Sequence, residues 1–236
     1  MNSVFSSNKK IWLFVFLSGL FVTNAVTAEL ISNKLIQIPL EFSFLNTKIG
    51  PFVTIIGILP WPIVFLLTDL LNEFYGRKVV QKLSWITAIL IAYCFILVGI
   101  SLKIPAFSIP DSSLADDNAY NLVFGQAQMV IVGSICAFLL SQLLDAFLFD
   151  KIKRKTGDRF IWLRSTGSTI FSQIIDTYVV LYIGFVLNGT MSLSDFWKIA
   201  PVNYSLKLLI ALALTPLIYL GHYSIRKYLG SLERNT

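Results

Sequence analysis

Residues 80–101 read VQKLSWITAILIAYCFILVGIS. Past Lys82 the run holds no charged side chain, and it is as long as the roughly 20 residues that carry an α-helix across a bilayer. A membrane strand needs only about ten residues and alternates in polarity, so the run reads as a helix. Further windows of the same character lie on either side, giving expected spans at about 11–30, 52–74, 80–101, 125–149, 165–188 and 199–223. Over the whole chain of 236 residues, 56% are hydrophobic and 14% charged, and the mean hydropathy is +0.73. A soluble domain carries about a quarter charged residues, so a soluble enzyme is the wrong class. The expectation is an all-α integral membrane protein with six transmembrane helices, a single polytopic domain over residues 1–236.

The net charge of +6 does not point to nucleic acid, because Lys and Arg collect in clusters beside the apolar windows. One face of the membrane would receive Lys9, Lys10, Arg77, Lys78, Lys82, Lys151, Lys153, Arg154, Lys155, Arg159, Arg164, Arg226, Lys227 and Arg234. The other would receive Lys34, Lys48, Lys103 and Lys198 together with Asp111, Asp116, Asp117 and Asp195. Positive charge marks the cytoplasmic side, so both termini are expected there. The beginning of the chain also imitates a cleavable signal, with Lys9 and Lys10, an apolar stretch, and Val26-Thr27-Ala28 before Glu29. Apolar character continues through Leu30 and Ile31, which favours a retained first helix. The segment from Pro105 to Tyr120 reads as an external loop.

Polar groups inside the windows carry the functional signal. An ionisable residue in hydrocarbon costs about 2.5 to 3.5 kcal/mol on insertion scales, and should face protein or a water-filled cavity. Asp69, Asn72 and Glu73 fall at i, i+3 and i+4 near the end of the second window. Glu73 is equally explained as a partner for nearby cations. The fourth window contains Ser141 to Phe147 (SQLLDAF) and the fifth Ser172 to Tyr178 (SQIIDTY), so Gln142 with Asp145 and Gln173 with Asp176 each share a face. Two such pairs in neighbouring helices can converge on one ligand. Asp176 sits near the middle of the bilayer, on a stripe formed by Ser165, Ser168, Thr169, Ser172 and Gln173. In the sixth window Asn203 and Lys207 share a face beside Tyr204, and an ion pair between Lys207 and Asp176 would offset the burial of both charges. Asn24 joins this set from the first window, whereas Glu29 reads as interfacial.

Backbone breakers at Gly57, Pro60, Pro62, Pro201 and Pro216 interrupt two windows, which hydrocarbon tolerates only against protein or a polar cavity. Pro201 can also be read as a first-turn proline. Cys94 and Cys136 stand far apart in apolar windows, and His222 is the lone histidine. No metal-ligand spacing, phosphate loop or dinucleotide fingerprint occurs, so no cofactor and no metal are expected.

At Thr68 to Lys78 (TDLLNEFYGRK), Ser141 to Asp145 (SQLLD), Arg164 to Thr177 (RSTGSTIFSQIIDT) and Tyr204 to Leu220 (YSLKLLIALALTPLIYL), the chain resembles the queuosine precursor transporter family, also described as vitamin uptake transporters. The resemblance covers nearly all six windows. It implies an inner-membrane carrier importing 7-deazaguanine bases, preQ0 or preQ1, for salvage into tRNA queuosine, with no nucleic-acid partner. Three helices per half would allow a 3+3 inverted repeat and alternating access, although the amide–carboxylate echo falls on helices four and five. An acidic side chain can accept from the adjacent ring N–H and amino groups of such a base, and an amide can serve its carbonyl. Asp176 or Asp145 is expected at the donor edge, Gln142 and Gln173 at the base, and Lys207 as charge partner. Phe171, Tyr178, Tyr204, Trp85 and Phe74 are candidate aromatic walls. Rival readings are the substrate-binding subunit of an ATPase-driven vitamin importer, and a membrane enzyme using Asp145 and Asp176. A homodimer is left open.

Overall fold

A computed structural model describes residues 2–32, 34–39, 42–44, 47–49, 52–107, 117–157 and 160–230. Of the expected external loop, residues 108–116 lie outside the described residues, as do Arg159, Arg234, Asp111 and Asp116 of the charge pattern. The main helices are α1 (Asn2–Ile31), α2 (Pro60–Tyr75) and α3 (Arg77–Ser101), then, after a short α4 (Asp117–Tyr120) and a π turn (Asn121–Gly125), α5 (Gln126–Thr156). Next come α6 (Ile161–Leu181), a second π turn (Tyr182–Val186), α7 (Leu193–Ala213) and α8 (Thr215–Gly230). Segments 8–31, 56–75, 77–101, 117–156 and 161–186 are each long and apolar enough to cross a membrane, and α7 with α8 qualify together, bent by 41°. The chain is a helical, multi-pass membrane protein.

One expectation about these segments changes, and the expected interruption of the sixth window takes a definite place. The second window is not helical from residue 52: Phe52–Ile55 forms strand β4, paired antiparallel with β1 (Leu35–Ile38), and a 3₁₀ turn (Ile56–Ile58) precedes α2. Pro60 supplies the preset φ that suits a helix start. A second hairpin pairs β2 (Phe42–Phe44) with β3 (Thr47–Ile49). The sixth window is broken at Leu214, because Pro216 lacks the N–H that would continue the ladder. Pro201 lies inside α7 and is not a first-turn proline.

The bundle is apolar outside and mixed within. Trp85, Ile86, Ile89 and Ile96 of α3 are exposed, as a lipid-facing surface requires. Phe21, Val64, Leu71, Val80, Ile91 and Phe138 fill a core among α1, α2, α3 and α5. The most extensive helix pairing joins α5 to α6. Close approach requires glycine at one place in particular: a Cβ at Gly133 of α5 would sit 2.5 Å from the Gly184 backbone N in the π turn. Gly76, at φ 84, makes the single-residue corner between α2 and α3.

Candidate functional site

Helix α6 carries its polar stripe inward. Ser165, Ser168, Thr169, Ser172, Gln173 and Asp176 are all buried, while Trp162, Phe171 and Ile174 face outward. The inversion follows from the solvent, since in lipid the hydroxyls and carboxyls find partners only in the bundle. Across the α5–α6 contact the two heptapeptides interlock: Ser172 donates to Asp145 Oδ1 at 2.9 Å, and Ser141 donates to Asp176 Oδ1 at 3.4 Å.

The expected pair of Lys207 and Asp176 is present, Nζ to Oδ2 at 2.7 Å, with both side chains buried. It lines a cavity of about 30 Å³ beside the last turn of α1 and the first turn of α2. Glu29 and Ser32 of α1, Trp61 of α2, Ser134 of α5 and Phe185 of the π turn complete the wall. Glu29 thus faces the bundle interior. It is buried, accepts from Ser134 through Oε2, and leaves Oε1 without a donor among the described residues. The sequence signal for this position is that α1 runs on to Ile31, placing the carboxylate inside the helix with small Ala25 and Ala28 packed on the core side. On the strand side Thr54 of β4 donates to Asn203 Oδ1 of α7 at 2.6 Å, one turn from Lys207.

The remaining expected site residues go elsewhere. Asn24 donates to Leu20 O of its own helix at 2.9 Å. Asn72 donates to Ala146 O, joining α2 to α5, and Tyr204 donates to Ile170 O, joining α7 to α6. Gln142 accepts from Thr68 at 2.8 Å, and neither it nor Gln173 lines the cavity. Asp69 accepts from Ser165 and neighbours the Asp145 carboxyl. Glu73 lies about 18 Å along α2 from Trp61, by a rise of 1.5 Å per residue, and binds Arg164 of α6 at 2.7 Å and Lys153 of α5 at 3.0 Å. His222 of α8 approaches the same carboxylate at 3.5 Å. Four helices thus meet at Glu73, and Arg164 is fully buried there.

The aromatic walls also differ from expectation. Trp85 and Phe171 are more than half exposed, Tyr178 packs on Phe196 and Trp197, and Phe74 lies 5.3 Å from the His222 ring. Trp61 and Phe185 are the rings at the cavity.

Comparison with known proteins assigns this architecture. Residues 55–221 match the family model described as "Putative vitamin uptake transporter". The chain is 32% identical over 175 residues to the "Probable queuosine precursor transporter" of Bacillus subtilis, covering 73% of this chain and 72% of that protein. It is 27% identical over 214 residues to the "Queuosine precursor transporter" of Escherichia coli, covering 89% and 86%. A third relative, the "Probable queuosine precursor transporter" of Haemophilus influenzae, is 27% identical over 193 residues. No solved structure matches. These relatives are transporters, which sets aside the enzymatic reading of Asp145 and Asp176, and the chain belongs to the vitamin uptake transporter family that the sequence motifs suggested.

Proposed function

We propose that the protein imports 7-deazaguanine precursors of queuosine, preQ0 or preQ1, across the inner membrane for tRNA salvage, and that the base binds between Glu29 and the Asp176–Lys207 pair. The relatives' names support the substrate class. The observation that carries the placement is the second oxygen of Glu29, buried at the cavity without a donor. Asp176 is already neutralised by Lys207, so Glu29 is the carboxylate left to accept from the ring N–H and amino edge, or from the aminomethyl cation of preQ1. Trp61 supplies a flat surface for the ring.

A cavity that holds one benzene ring measures roughly 150 Å³, so at about 30 Å³ this one is closed around nothing larger than water. Entry of a fused two-ring base requires helices to part. Six spans with both termini cytoplasmic put the Thr54–Asn203 contact on the external side and the Glu73 cluster on the cytoplasmic side. Alternating access then consists of releasing one closure while the other holds, about a site near mid-membrane. A 3+3 inverted repeat is one way to build such motion; the interlocked heptapeptides relate adjacent helices instead.

The test is restoration of tRNA queuosine in cells that neither make the precursor nor carry their own importer, supplied with nanomolar preQ0 or preQ1. The wild-type chain is expected to restore the modification and Asp176→Asn at equal protein level to lose it. No restoration by well-expressed wild type overturns the assignment.

A further inference from the structure

The substrate cavity does not use Asp145 of the first heptapeptide, which meets a second buried carboxyl, Asp69 of α2, and no lysine. Asp69 of α2 and Asp145 of α5 are neighbouring carboxyls, both buried, that act on one another. Each has one oxygen served by α6, Asp69 Oδ2 by Ser165 and Asp145 Oδ1 by Ser172. The other oxygen of each, Asp69 Oδ1 and Asp145 Oδ2, is buried and lacks a donor among the described residues. Two carboxyls in contact with an unserved oxygen apiece are short of one hydrogen between them. A hydroxyl proton on either would donate to the other and satisfy both atoms.

The surroundings leave little else to fill the gap. From α6 the pair is faced by Ser165, Ser168, Thr169 and Ser172, with Arg164 acting at longer range on Asp69. That guanidinium is committed to Glu73 at 2.7 Å, where Lys153 and His222 also converge. Ala211, Leu214 and Ile218, all apolar, line a cavity of about 20 Å³ that touches Asp69 and has room for one water. One proton shared between the two unserved oxygens satisfies both without moving Ser165 or Ser172 from their present acceptors.

We infer that Asp69 and Asp145 together form the binding site for one transported proton, and that the carrier is a substrate–proton symporter. The inference rests on the substrate reading above. Its mechanical basis is the position of the pair. Asp145 lies at the level of Ser172, one turn or about 6 Å from the Asp176–Lys207 pair on the same two helices. With the proton in place, α2, α5 and α6 are tied at one point. Without it two bare carboxylates in contact repel, which drives α2 from α5 and reopens the closure one turn further on at Glu73. The proton enters from outside with the base, leaves to the cytoplasm, and the site returns empty.

The experiment uses the purified full chain in proteoliposomes with labelled preQ0 and preQ1. Two quantities are read: exchange of label at equal internal and external pH, and accumulation under an inward proton gradient. One proton per base and a gradient of one pH unit support up to about tenfold accumulation of a neutral base, since 1.4 kcal/mol is tenfold. Wild type is expected to exchange, to accumulate with the proton gradient, and to alkalinise the external medium when base is added. Asp145→Asn is expected to keep exchange and to fall to an accumulation ratio of one. Because that variant can fail to fold, the substrate-driven pH change of the wild type stands as an independent reading. Exchange without proton movement, accumulation driven by sodium in its place, or undiminished accumulation by Asp145→Asn overturns the proton site while leaving the substrate intact. Absence of exchange by the wild type overturns the substrate reading itself, and this one with it.

Discussion

The sequences SQLLDAF at Ser141–Phe147 and SQIIDTY at Ser172–Tyr178 are near copies, they occupy neighbouring antiparallel helices, and each serine faces the other's aspartate. Yet the two aspartates live differently. Asp176 meets Lys207 from α7 and borders the cavity; Asp145 meets Asp69 from α2 and is shut away from it. The lesson is that a repeated motif sets which atoms two helices present to one another, while a third helix decides the chemistry. A cation at one level makes a fixed ion pair. A second carboxyl at the other makes a place for a proton.

The largest effect expected from breaking this contrast comes at Lys207. Replacing it with Met leaves Asp176 buried without its cation, a loss of about 3 to 5 kcal/mol for one partner of a buried pair. Thermal unfolding of the detergent-purified protein should fall sharply for Lys207→Met and recover substantially in Lys207→Met with Asp176→Asn, where both charges are gone. If the single variant melts like wild type, the pair holds nothing together, and the distinction between the two aspartates collapses.

Next in size is Glu29, the residue that makes the Asp176 level a binding site. Glu29→Gln keeps the shape and the Ser134 contact but removes the charge that would accept from the base. A hydrogen bond to a charged group contributes about 1.5 to 3 kcal/mol, so uptake at low substrate is expected to drop by about 10- to 100-fold at unchanged protein level. Wild-type uptake in this variant would move the donor-edge contact elsewhere on the cavity wall.

How far these features were legible in the sequence depends on what enforces them. Hydrocarbon excludes charge over a fixed thickness, so the apolar windows, the inward stripe of α6 and the pairing of Lys207 with Asp176 could all be read from spacing and polarity. Pro216 likewise announced the break beside Leu214. The β1–β4 ribbon could not be read, because Leu35-Ile36-Gln37-Ile38 and Phe52-Val53-Thr54-Ile55 are short apolar runs that look like the ends of spans. The inward orientation of Glu29 could not be read either: its place near a helix end is set by counting, but the Ser134 hydroxyl it meets belongs to another helix. Register between helices was the other blind spot. Gln142 and Gln173 share faces with their aspartates, but only packing could show that the serines, not the amides, reach across.

The smallest expected effects are the most discriminating, because they test the two copies with the same substitution. Ser172→Ala removes a 2.9 Å bond to Asp145, one of the few donors that carboxyl has. Its loss should lower stability by about 1 kcal/mol, the ordinary net worth of a buried hydrogen bond. Ser141→Ala removes a contact of 3.4 Å, beyond the usual range for an O–H donor, from a carboxylate that Lys207 already holds at 2.7 Å. Both hydroxyls also reach a carbonyl on their own helix, Phe138 O at 3.1 Å from Ser141 and Thr169 O at 3.2 Å from Ser172, so the difference rests on the cross-helix bonds. The cost of Ser141→Ala should stay below about 0.5 kcal/mol, within the range of an unremarkable substitution. Melting curves of the two variants side by side decide the matter. Equal losses would mean that the α5–α6 contact alone governs both aspartates, whereas the expected inequality follows only if α7 has taken over Asp176 and left Asp145 to its hydroxyls and to Asp69.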